Sequence, residues 1–517
     1  MGNPGRSSGA ILVGLIGIVR CPLALIGFIL VETTDDMTTI TNGMLRRFSS
    51  NSLASVLAIG LPIAIAVSAG RAHAQAAEPT PANPPPPAVA EASPIAEQQL
   101  EQIRKMVSAM PKLFEFDGYF RAGFGINAKG GDQDAFQAPG AYSKYRLGNE
   151  IETYGEIGLT ANWINPDHSD TWFKTKIKLA IVAPRNSTFD TLNAIAVREA
   201  YGEAGHVLEA HPEMTFWAGQ RFYRRRDVHI IDFFFNDLSG YGAGFQDMKV
   251  GDKMKLSVAY LGGSVDATGG GGSDVGRLTK NIFDIRLSDI PVGNGNLEVM
   301  LLPTFGAQGS GTTRNLGGLG GGVFYFVPMM GGFNEVSAQL GYRGIANLST
   351  FVDNSLAKDG WLFRAVDRAV FQLNPQLSMM ATAVLQFDNR DGSPAGSTDS
   401  GVGNTWFSIG ARPVYNFTKY TAIAVEGGID IVKPQGEPAP GASNTGVLAK
   451  LTVAPLIRPG MDFWARPELR AFVTVAAWND AIRGAVGGPA FSPPGCLASD
   501  TCDTAGLTVG VQAESWW

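Results

Sequence analysis

From Leu113 to Trp517, apolar and polar residues alternate with a period of two, the pattern of β-strands whose two faces meet different surroundings. In the first segment Phe114, Phe116, Gly118, Phe120, Ala122 and Phe124 share one face, while Glu115, Asp117, Tyr119, Arg121 and Gly123 share the other. The next segment sets Ile151, Thr153, Ile157, Leu159, Ala161 and Trp163 against Glu152, Tyr154, Glu156, Thr160 and Asn162. Phe173, Ile177, Leu179 and Ile181 then oppose Lys174, Lys176 and Lys178. Near the end Leu469, Ala471, Val473 and Val475 oppose Glu468, Arg470 and Thr474, and the last segment sets Leu507, Val509, Val511 and Trp517 against Thr508, Gln512, Glu514 and Trp516.

A soluble sandwich would alternate in the same way, so the pattern alone leaves two architectures open. Three features favour a transmembrane barrel with its apolar face on lipid and its polar face on a lumen. Strand-like segments recur with Gly-rich stretches between them, such as Gly262–Arg277 and Gly306–Gly322, which read as long loops. The chain stops on an aromatic strand, Trp516-Trp517. An export signal precedes the alternating region. Such a sheet must close, because an open edge in lipid leaves backbone groups unpaired. About 405 residues, at roughly 22 per strand plus connection, give about 18 antiparallel strands, and a barrel that wide leaves an aqueous channel. The fold predicted is all-β, with the barrel over residues 113–517.

The front of the chain reads as an address. Arg46 and Arg47, the apolar run Leu53–Val67 and the sequence Ala72-His73-Ala74 make residues 44–74 a secretory signal, with Met44 where a start would stand. Residues 1–43 then read as an upstream extension. The other reading of that prefix is a membrane anchor at Ile11–Val31, which Arg20 and Pro22 interrupt. A Pro-rich linker at 75–93 should be extended and stiff. Over 94–111, Ala96, Leu100, Ile103, Val107 and Met110 repeat at helical spacing behind a Ser93-Pro94 start. This short periplasmic helix is either a coiled coil between protomers or a helix lying on the body.

Composition narrows the function. The 517 residues carry a net charge of −6 and only 17% charged residues, against roughly 25% in soluble domains. That balance excludes a basic nucleic-acid-binding surface, and the 45% hydrophobic content excludes wholesale disorder. No apolar run of about 18–20 residues lies beyond residue 70, so the body does not cross a membrane as helices. An enzyme would need an acid–base or nucleophile set. With five histidines, only His229 stands near carboxylates in a plausible place, and no G-x-S-x-G signature accompanies it. The runs Gly269–Gly272 and Gly317–Gly322 lack the lysine and strand–helix context of a phosphate loop. The expectation is a non-enzymatic protein without a cofactor or metal.

The polar face points to sugar. Tyr119 shares it with Arg121, and Tyr154 with Glu156. By parity Trp464 falls with Glu468 and Arg470, and Trp516 with Glu514 and Gln512. A sugar lays its C–H faces on aromatic rings while its hydroxyls need donors and acceptors at the ring edge, which arginine and carboxylates supply. Many weak contacts suit transport, since the ligand must also leave. Between Arg221 and Asp237 a segment dense in aromatics and charge reads as a loop folded into the lumen. Arg224, Arg225 and Arg226 would repel one another there, with Asp227, Asp232 and Asp237 available to compensate.

These residues resemble the maltoporin family of sugar-specific trimeric outer-membrane channels, which includes the sucrose porins. The matching stretches are Gly118-Tyr-Phe-Arg121, Ser143-Lys-Tyr-Arg-Leu-Gly-Asn-Glu150, Glu152-Thr-Tyr154, Arg198-Glu-Ala200, Trp217-Ala-Gly219, Arg221-Phe-Tyr223, Arg225 with Asp227-Val-His229, Asp232-Phe233, Lys358–Phe363, Arg412-Pro413, Trp464 with Arg466-Pro467, and the terminal Trp516-Trp517. They run in family order from about residue 113 to the last. The resemblance implies an eighteen-stranded barrel whose pore carries a slide of aromatics, here Tyr119, Tyr154, Trp464 and Trp516, with Phe189 near the slide aromatic that a neighbouring subunit contributes. It also implies an ionic track bonding sugar hydroxyls, here Arg121, Arg146, Glu156, Arg198, Arg225, Asp227 and Asp232.

There are departures from the family pattern. Phe234 stands where maltoporins carry a constriction tyrosine, as in sucrose porins, whereas Arg225 and Asp227 stay maltoporin-like. The disulfide of the enterobacterial maltoporins has no counterpart, since Ala135 and Ile151 hold those positions. Cys496 and Cys502 instead lie together in the last long loop, where export favours a disulfide worth on the order of 2–3 kcal/mol at most. The expected function is passive diffusion of maltose- or maltodextrin-type oligosaccharides across the bacterial outer membrane. Expected partners are the sugar, outer-membrane lipid, two further copies in a homotrimer and the outer-membrane assembly machinery. A general or non-sugar solute pore is the alternative, and selectivity for sucrose or another disaccharide is also open.

Overall fold

The computed structural model describes residues 113–150, 152–163, 170–183, 194–268, 274–308, 317–352, 360–390, 403–434 and 443–517. The extension at 1–43, the signal at 44–74, the linker at 75–93, the helix at 94–111 and Phe189 lie outside these residues.

Period-two alternation becomes one antiparallel sheet of eighteen strands. In chain order they are β1 (Phe114–Asn127), β2 (Thr153–Trp163), β3 (Trp172–Ala183), β4 (Ala194–Gly205), β5 (Thr215–Arg221), β8 (Gly240–Val250), β9 (Met254–Thr268), β10 (Asp274–Val292), β11 (Gly295–Gln308) and β12 (Gly318–Met329), followed by β13 (Gly332–Arg343), β14 (Trp361–Gln372), β15 (Leu377–Asp388), β16 (Asn404–Asn416), β17 (Thr421–Pro434), β18 (Gly446–Ile457), β19 (Glu468–Trp478) and β20 (Ala505–Trp516). Two short strands, β6 (Arg226–Val228) and β7 (Phe233–Asn236), pair only with each other. The sheet closes where β1 pairs with β20, from Tyr119 opposite Trp516 to Asn127 opposite Thr508. Closure leaves no edge for lipid to face.

The outward face is apolar. Phe116 is 59% exposed, Leu159 51%, Ile177 58% and Val511 56%, values that water would penalise and that lipid accepts. Aromatics gather on this face at both rims. Phe114, Phe116, Trp163, Phe173 and Trp517 stand at the rim where the chain begins and ends the sheet, and Tyr241, Tyr342, Trp361 and Phe387 at the other. Turns at the first rim are tight, as at 251–253, 293–294 and 330–331, and connections at the second are long, as at 128–152, 222–239, 344–360 and 479–504. The short-turn rim is therefore the periplasmic one.

Strand pairing extends further than the glycine content suggested. β9 runs through Gly262 and Gly263 to Thr268, and β12 begins at Gly318, so parts of the two Gly-rich stretches read as loops are wall. The glycines serve close approach rather than looseness. A Cβ at Gly341 would lie 2.3 Å from the Ile345 carbonyl oxygen, and one at Gly320 would meet the Ile345 side chain at 3.0 Å, so residues 344–352 can lie against the inner wall. Lys280 fastens that segment from β10, its ammonium donating to Asn347 Oδ1 at 2.8 Å and to the Ser349 carbonyl at 2.6 Å. In the last long loop the expected disulfide joins Cys496 and Cys502, with Cα atoms 4.9 Å apart.

Candidate functional site

The segment 222–239 folds into the lumen as the sequence predicted. β6 and β7 form a hairpin across one turn of 3-10 helix, His229–Ile231, and Asp232 closes the turn in the left-handed region at φ 55°. Alternation sorts its side chains. Val228, Ile230, Ile231, Phe233 and Phe235 are buried against the wall. The Phe233 ring lies 5.1 Å from Trp406, and Arg364 Nη1 donates to the Phe235 carbonyl at 2.8 Å. The other side presents Arg225, Asp227 and Phe234, the last 38% exposed.

Alternation also splits the arginine triplet, and here the predicted compensation is corrected. Arg224 turns to the wall and donates to Ser257 Oγ at 2.8 Å. Arg226 turns to the wall as well, meeting Glu298 at 2.8 Å and Glu335 at 3.4 Å, with Phe324 under its guanidinium at 4.1 Å. Only Arg225 stays on the lumen side, 3.2 Å from Asp237. Asp232 pairs elsewhere, with Lys144 at 3.5 Å and Arg146 at 3.9 Å. Of the expected carboxylates, Asp237 compensates Arg225, while Arg226 is compensated by the wall carboxylates Glu298 and Glu335, which local sequence reading does not see.

The long connection 128–152 folds inward too, which the sequence did not reveal. Its Tyr145 hydroxyl meets Ser408 Oγ at 2.9 Å, its Leu147 amide donates to Glu426 at 2.8 Å, and its Lys144 amide donates to the Ile231 carbonyl at 3.0 Å, tying it to the hairpin. These inserts pack on the inner wall from Ser257 of β9 round to Thr474 of β19. The other side of the lumen is formed by the inward faces of β1, β2 and β20.

That side carries an aromatic row. The ring of Tyr154, at the outer end of β2, is 6.0 Å from Tyr119; Tyr119 is 6.5 Å from Trp516 and nearly parallel to it; Trp516 is 6.3 Å from Trp464. The row thus runs from Tyr154, opposite Arg121 of β1, to the periplasmic turn. Strand parity does not place Trp464, contrary to the sequence reading: it sits in the turn at 458–467, where its amide donates to Asp462 Oδ1 at 2.9 Å. The turn nevertheless delivers its indole to the end of the row.

A charge cluster backs these rings. Glu514 accepts from the Tyr119 hydroxyl at 3.0 Å and pairs with Arg146 at 3.1 Å, Arg466 at 3.1 Å and Arg470 at 3.2 Å. Arg146 also donates to the Tyr119 oxygen at 2.7 Å and to Glu150 at 2.9 Å. Arg121 pairs with Glu150 at 3.4 Å and with Glu152, and its guanidinium lies 5.5 Å from the Tyr154 centroid. Arg121 and Arg146 are only 7% and 5% exposed, so both hold the rings from behind more than they face the channel. Arg466, which sequence reading left unassigned, stacks 4.2 Å over Trp516. The Tyr154 hydroxyl donates to Glu156 at 2.5 Å, and Lys178 lies 3.8 Å from the same carboxylate. Arg198 stands 5.2 Å from the Phe222 ring, beside a cavity of about 880 Å³ that Phe222, Asp237 and Thr350 also line.

Outside the spanning strands, burial sets the protonation of the inserts. It pushes the Glu150 carboxyl up to about 7, against the pull of Arg146 and Arg121. It raises Asp227 as well, whereas Asp232 is held below the usual range because Arg146 and Lys144 outweigh its burial. His229 is driven well below its ordinary value by burial and by Arg146. Its two ring nitrogens face Arg146 and Arg466, each at 3.4 Å, and its ring packs edge-on against Trp464 and Trp516 at 5.4 and 5.7 Å. A neutral imidazole accepts at one nitrogen only.

A family model described as LamB porin matches residues 114–517. Among solved structures the chain is similar to OmpF of Salmonella typhi in complex with daunomycin, at 11% identity over 78% of this chain and 97% of that one, with a TM-score of 0.39. It is similar to the trimer form of in-vitro folded OmpT, an outer membrane protein of Vibrio cholerae, at 9% identity over 78% and 99%, with a TM-score of 0.34. A third is the outer membrane channel DcaP of Acinetobacter baumannii, at 13% identity over 78% and 97%, with a TM-score of 0.37. The family match takes in the whole closed sheet, from the first residue of β1 to the terminal tryptophan, with the inward loop between: the chain belongs to the LamB porin family, and is a sugar channel of the bacterial outer membrane.

Proposed function

We propose that this channel carries maltose- or maltodextrin-type or related oligosaccharides by passive diffusion along the row Tyr154, Tyr119, Trp516 and Trp464. The observation that carries the reading is the continuity of that row, with centroid steps of 6.0, 6.5 and 6.3 Å down to the periplasmic turn. Successive sugar rings can pass from one platform to the next without losing contact. Glu156, Arg198, Arg225, Asp227 and Asp232 serve as the ionic track for the hydroxyls, with Phe234 at the narrow point. Arg121 and Arg146 contribute mainly by fixing the tyrosines. The protein works as a channel rather than an enzyme, and His229 is a packing residue under the two tryptophans. By family resemblance it assembles as a homotrimer, inserted by the outer-membrane assembly machinery, and Phe189 is the candidate for the slide aromatic that one subunit contributes to another.

Uptake into proteoliposomes tests this. A slide gives maltose and maltotriose flux that saturates with concentration, whereas a general pore gives flux that stays linear and falls with solute mass. Linear, mass-ordered flux would leave only the general-pore reading. A narrower expectation concerns Arg225, the lumen cation of the triplet. Arg225→Ala should shift the zero-current potential in a salt gradient toward cation preference and weaken sugar binding by about tenfold or more, as loss of a hydrogen bond from a charged donor, about 1.5–3 kcal/mol, does. An unchanged potential would place Arg225 away from the conduction path.

A further inference from the structure

The two inserts meet at a pair of carboxyls, Glu150 from the connection 128–152 and Asp232 from the hairpin turn. Two cations straddle the pair. The Lys144 ammonium lies 3.9 Å from Glu150 and 3.5 Å from Asp232, and the Arg146 guanidinium lies 2.9 Å from Glu150 and 3.9 Å from Asp232. The two carboxyls stand within hydrogen-bond reach of each other. The Glu150 side chain is fully buried, and its Oε1 has no donor within hydrogen-bond distance among the described residues. Its backbone is held in place by Gln512, whose Nε2 donates to the Glu150 carbonyl at 2.9 Å. An ionised carboxylate only accepts, so two of them cannot bond, whereas a single proton between them makes the bond. Around the pair stand Arg121 and Tyr119 from β1, Glu152 beside Arg121, His229 beside Arg146 in the hairpin, and Glu514 from β20 on Arg146.

We propose that Glu150 and Asp232 share one proton and act as a pH-sensitive latch that fastens the constriction hairpin to the connection 128–152. With the proton on Glu150, its hydroxyl donates to the Asp232 carboxylate, close to where the Lys144 amide donates to the Ile231 carbonyl at 3.0 Å. Burial pushes the Glu150 carboxyl up to about 7, while Arg146 and Lys144 keep Asp232 below the usual range and so on the accepting side. A carboxyl raised in this way gives a bond that is complete in acid and is lost as pH rises through about 7. The proton has a way out past Asp232, whose side chain is 20% exposed. Once it has left, two carboxylates face each other with no donor between them, and the passage carries one more negative charge. His229 takes no part: held well below its ordinary value, it is neutral on both sides of the change. The latch works without sugar and does not depend on the slide.

Sugar-free single-channel current in planar bilayers, recorded in a salt gradient from about pH 5.5 to about pH 8.5, tests this. The parent channel should show one transition centred at about pH 7. Across it the cation-to-anion permeability ratio should rise about twofold to threefold, and the open level should grow larger and noisier as the hairpin tip loosens. Glu150→Gln keeps a donor toward Asp232 at every pH, so it should hold the channel at its acid-side values throughout. Asp232→Asn offers the ionised Glu150 a donor and removes the facing charge, so it should move the transition at least about one pH unit toward acid. If Glu150→Gln yields no folded channel, the shift in Asp232→Asn decides the matter. His229→Gln should leave the transition where it is. A parent channel with the same ratio and open level from end to end would overturn the latch. So would a transition that survives both carboxyl substitutions unmoved, or one that vanishes with His229.

Discussion

Trp464→Ala or Tyr119→Ala should raise the sugar concentration for half-block of the ion current by about 10- to 100-fold, with far less change in open-channel conductance. Loss of one aromatic platform removes stacking of about 1–3 kcal/mol, and each 1.4 kcal/mol is about tenfold in affinity. Conductance depends on the width and charge of the passage, and neither residue carries a charge. Trp464 is the cleaner probe, since it lies in a turn and holds no strand in place. At position 119 the side chain does two things: its ring is a platform, and its hydroxyl bridges Arg146 at 2.7 Å and Glu514 at 3.0 Å. Tyr119→Phe separates them and should keep most of the block. Alanine variants as blockable as the parent would remove the slide from the account.

The second large effect lies behind the hairpin. Glu298 and Glu335 hold Arg226, and they are themselves held by Arg286 at 2.7 Å and Arg368 at 3.2 Å. Neutralising both, as Glu298→Gln with Glu335→Gln, takes these carboxylates from Arg226 and Arg368 and leaves Arg286 with Asp284 alone. Breaking a buried ion pair from one side costs about 3–5 kcal/mol, enough to lift a short hairpin from its seat. The expected result is a barrel that still resists denaturation by detergent but conducts several times more current, flickers and is no longer blocked by sugar. Arg226→Met removes the cation instead and leaves each carboxylate its wall arginine, so it should disturb the channel much less. Wild-type conductance and block in the double variant would mean that apolar contacts such as Phe233 on Trp406 seat the hairpin alone.

How much of this the sequence disclosed follows from what each residue senses. Strand faces were legible because lipid and water sort side chains residue by residue; Phe116 and Ile177 point out, and Tyr119 and Tyr154 in, as alternation requires. The inward loop was legible because Arg221–Asp237 is too apolar and too charged to stand free in water. Its partners were not, since Glu298 and Glu335 lie far along the chain and meet Arg226 only in the closed barrel. Gly263, Gly318 and Gly320 look like loop because glycine weakens strands, yet their value lies in the approach of an inner segment, at Thr350, Gly344 and Ile345, that no local pattern announces. Parity, carried into a turn, set Trp464 with Glu468 and Arg470, whereas its ring meets Trp516 and His229. Phe222 stands in the matching stretch Arg221-Phe-Tyr223, but the cations around it, Arg198, Arg225 and Lys178, meet only in the fold.

The central claim is that the wet wall of this barrel binds sugar while letting it pass. Single-channel current in planar bilayers, titrated with a panel of linear oligosaccharides, measures it most directly. The account predicts brief, concentration-dependent closures that saturate, deepen with chain length from one to about three rings, and arise with sugar added on either side. Undisturbed ion current in the presence of every sugar on the panel would contradict it.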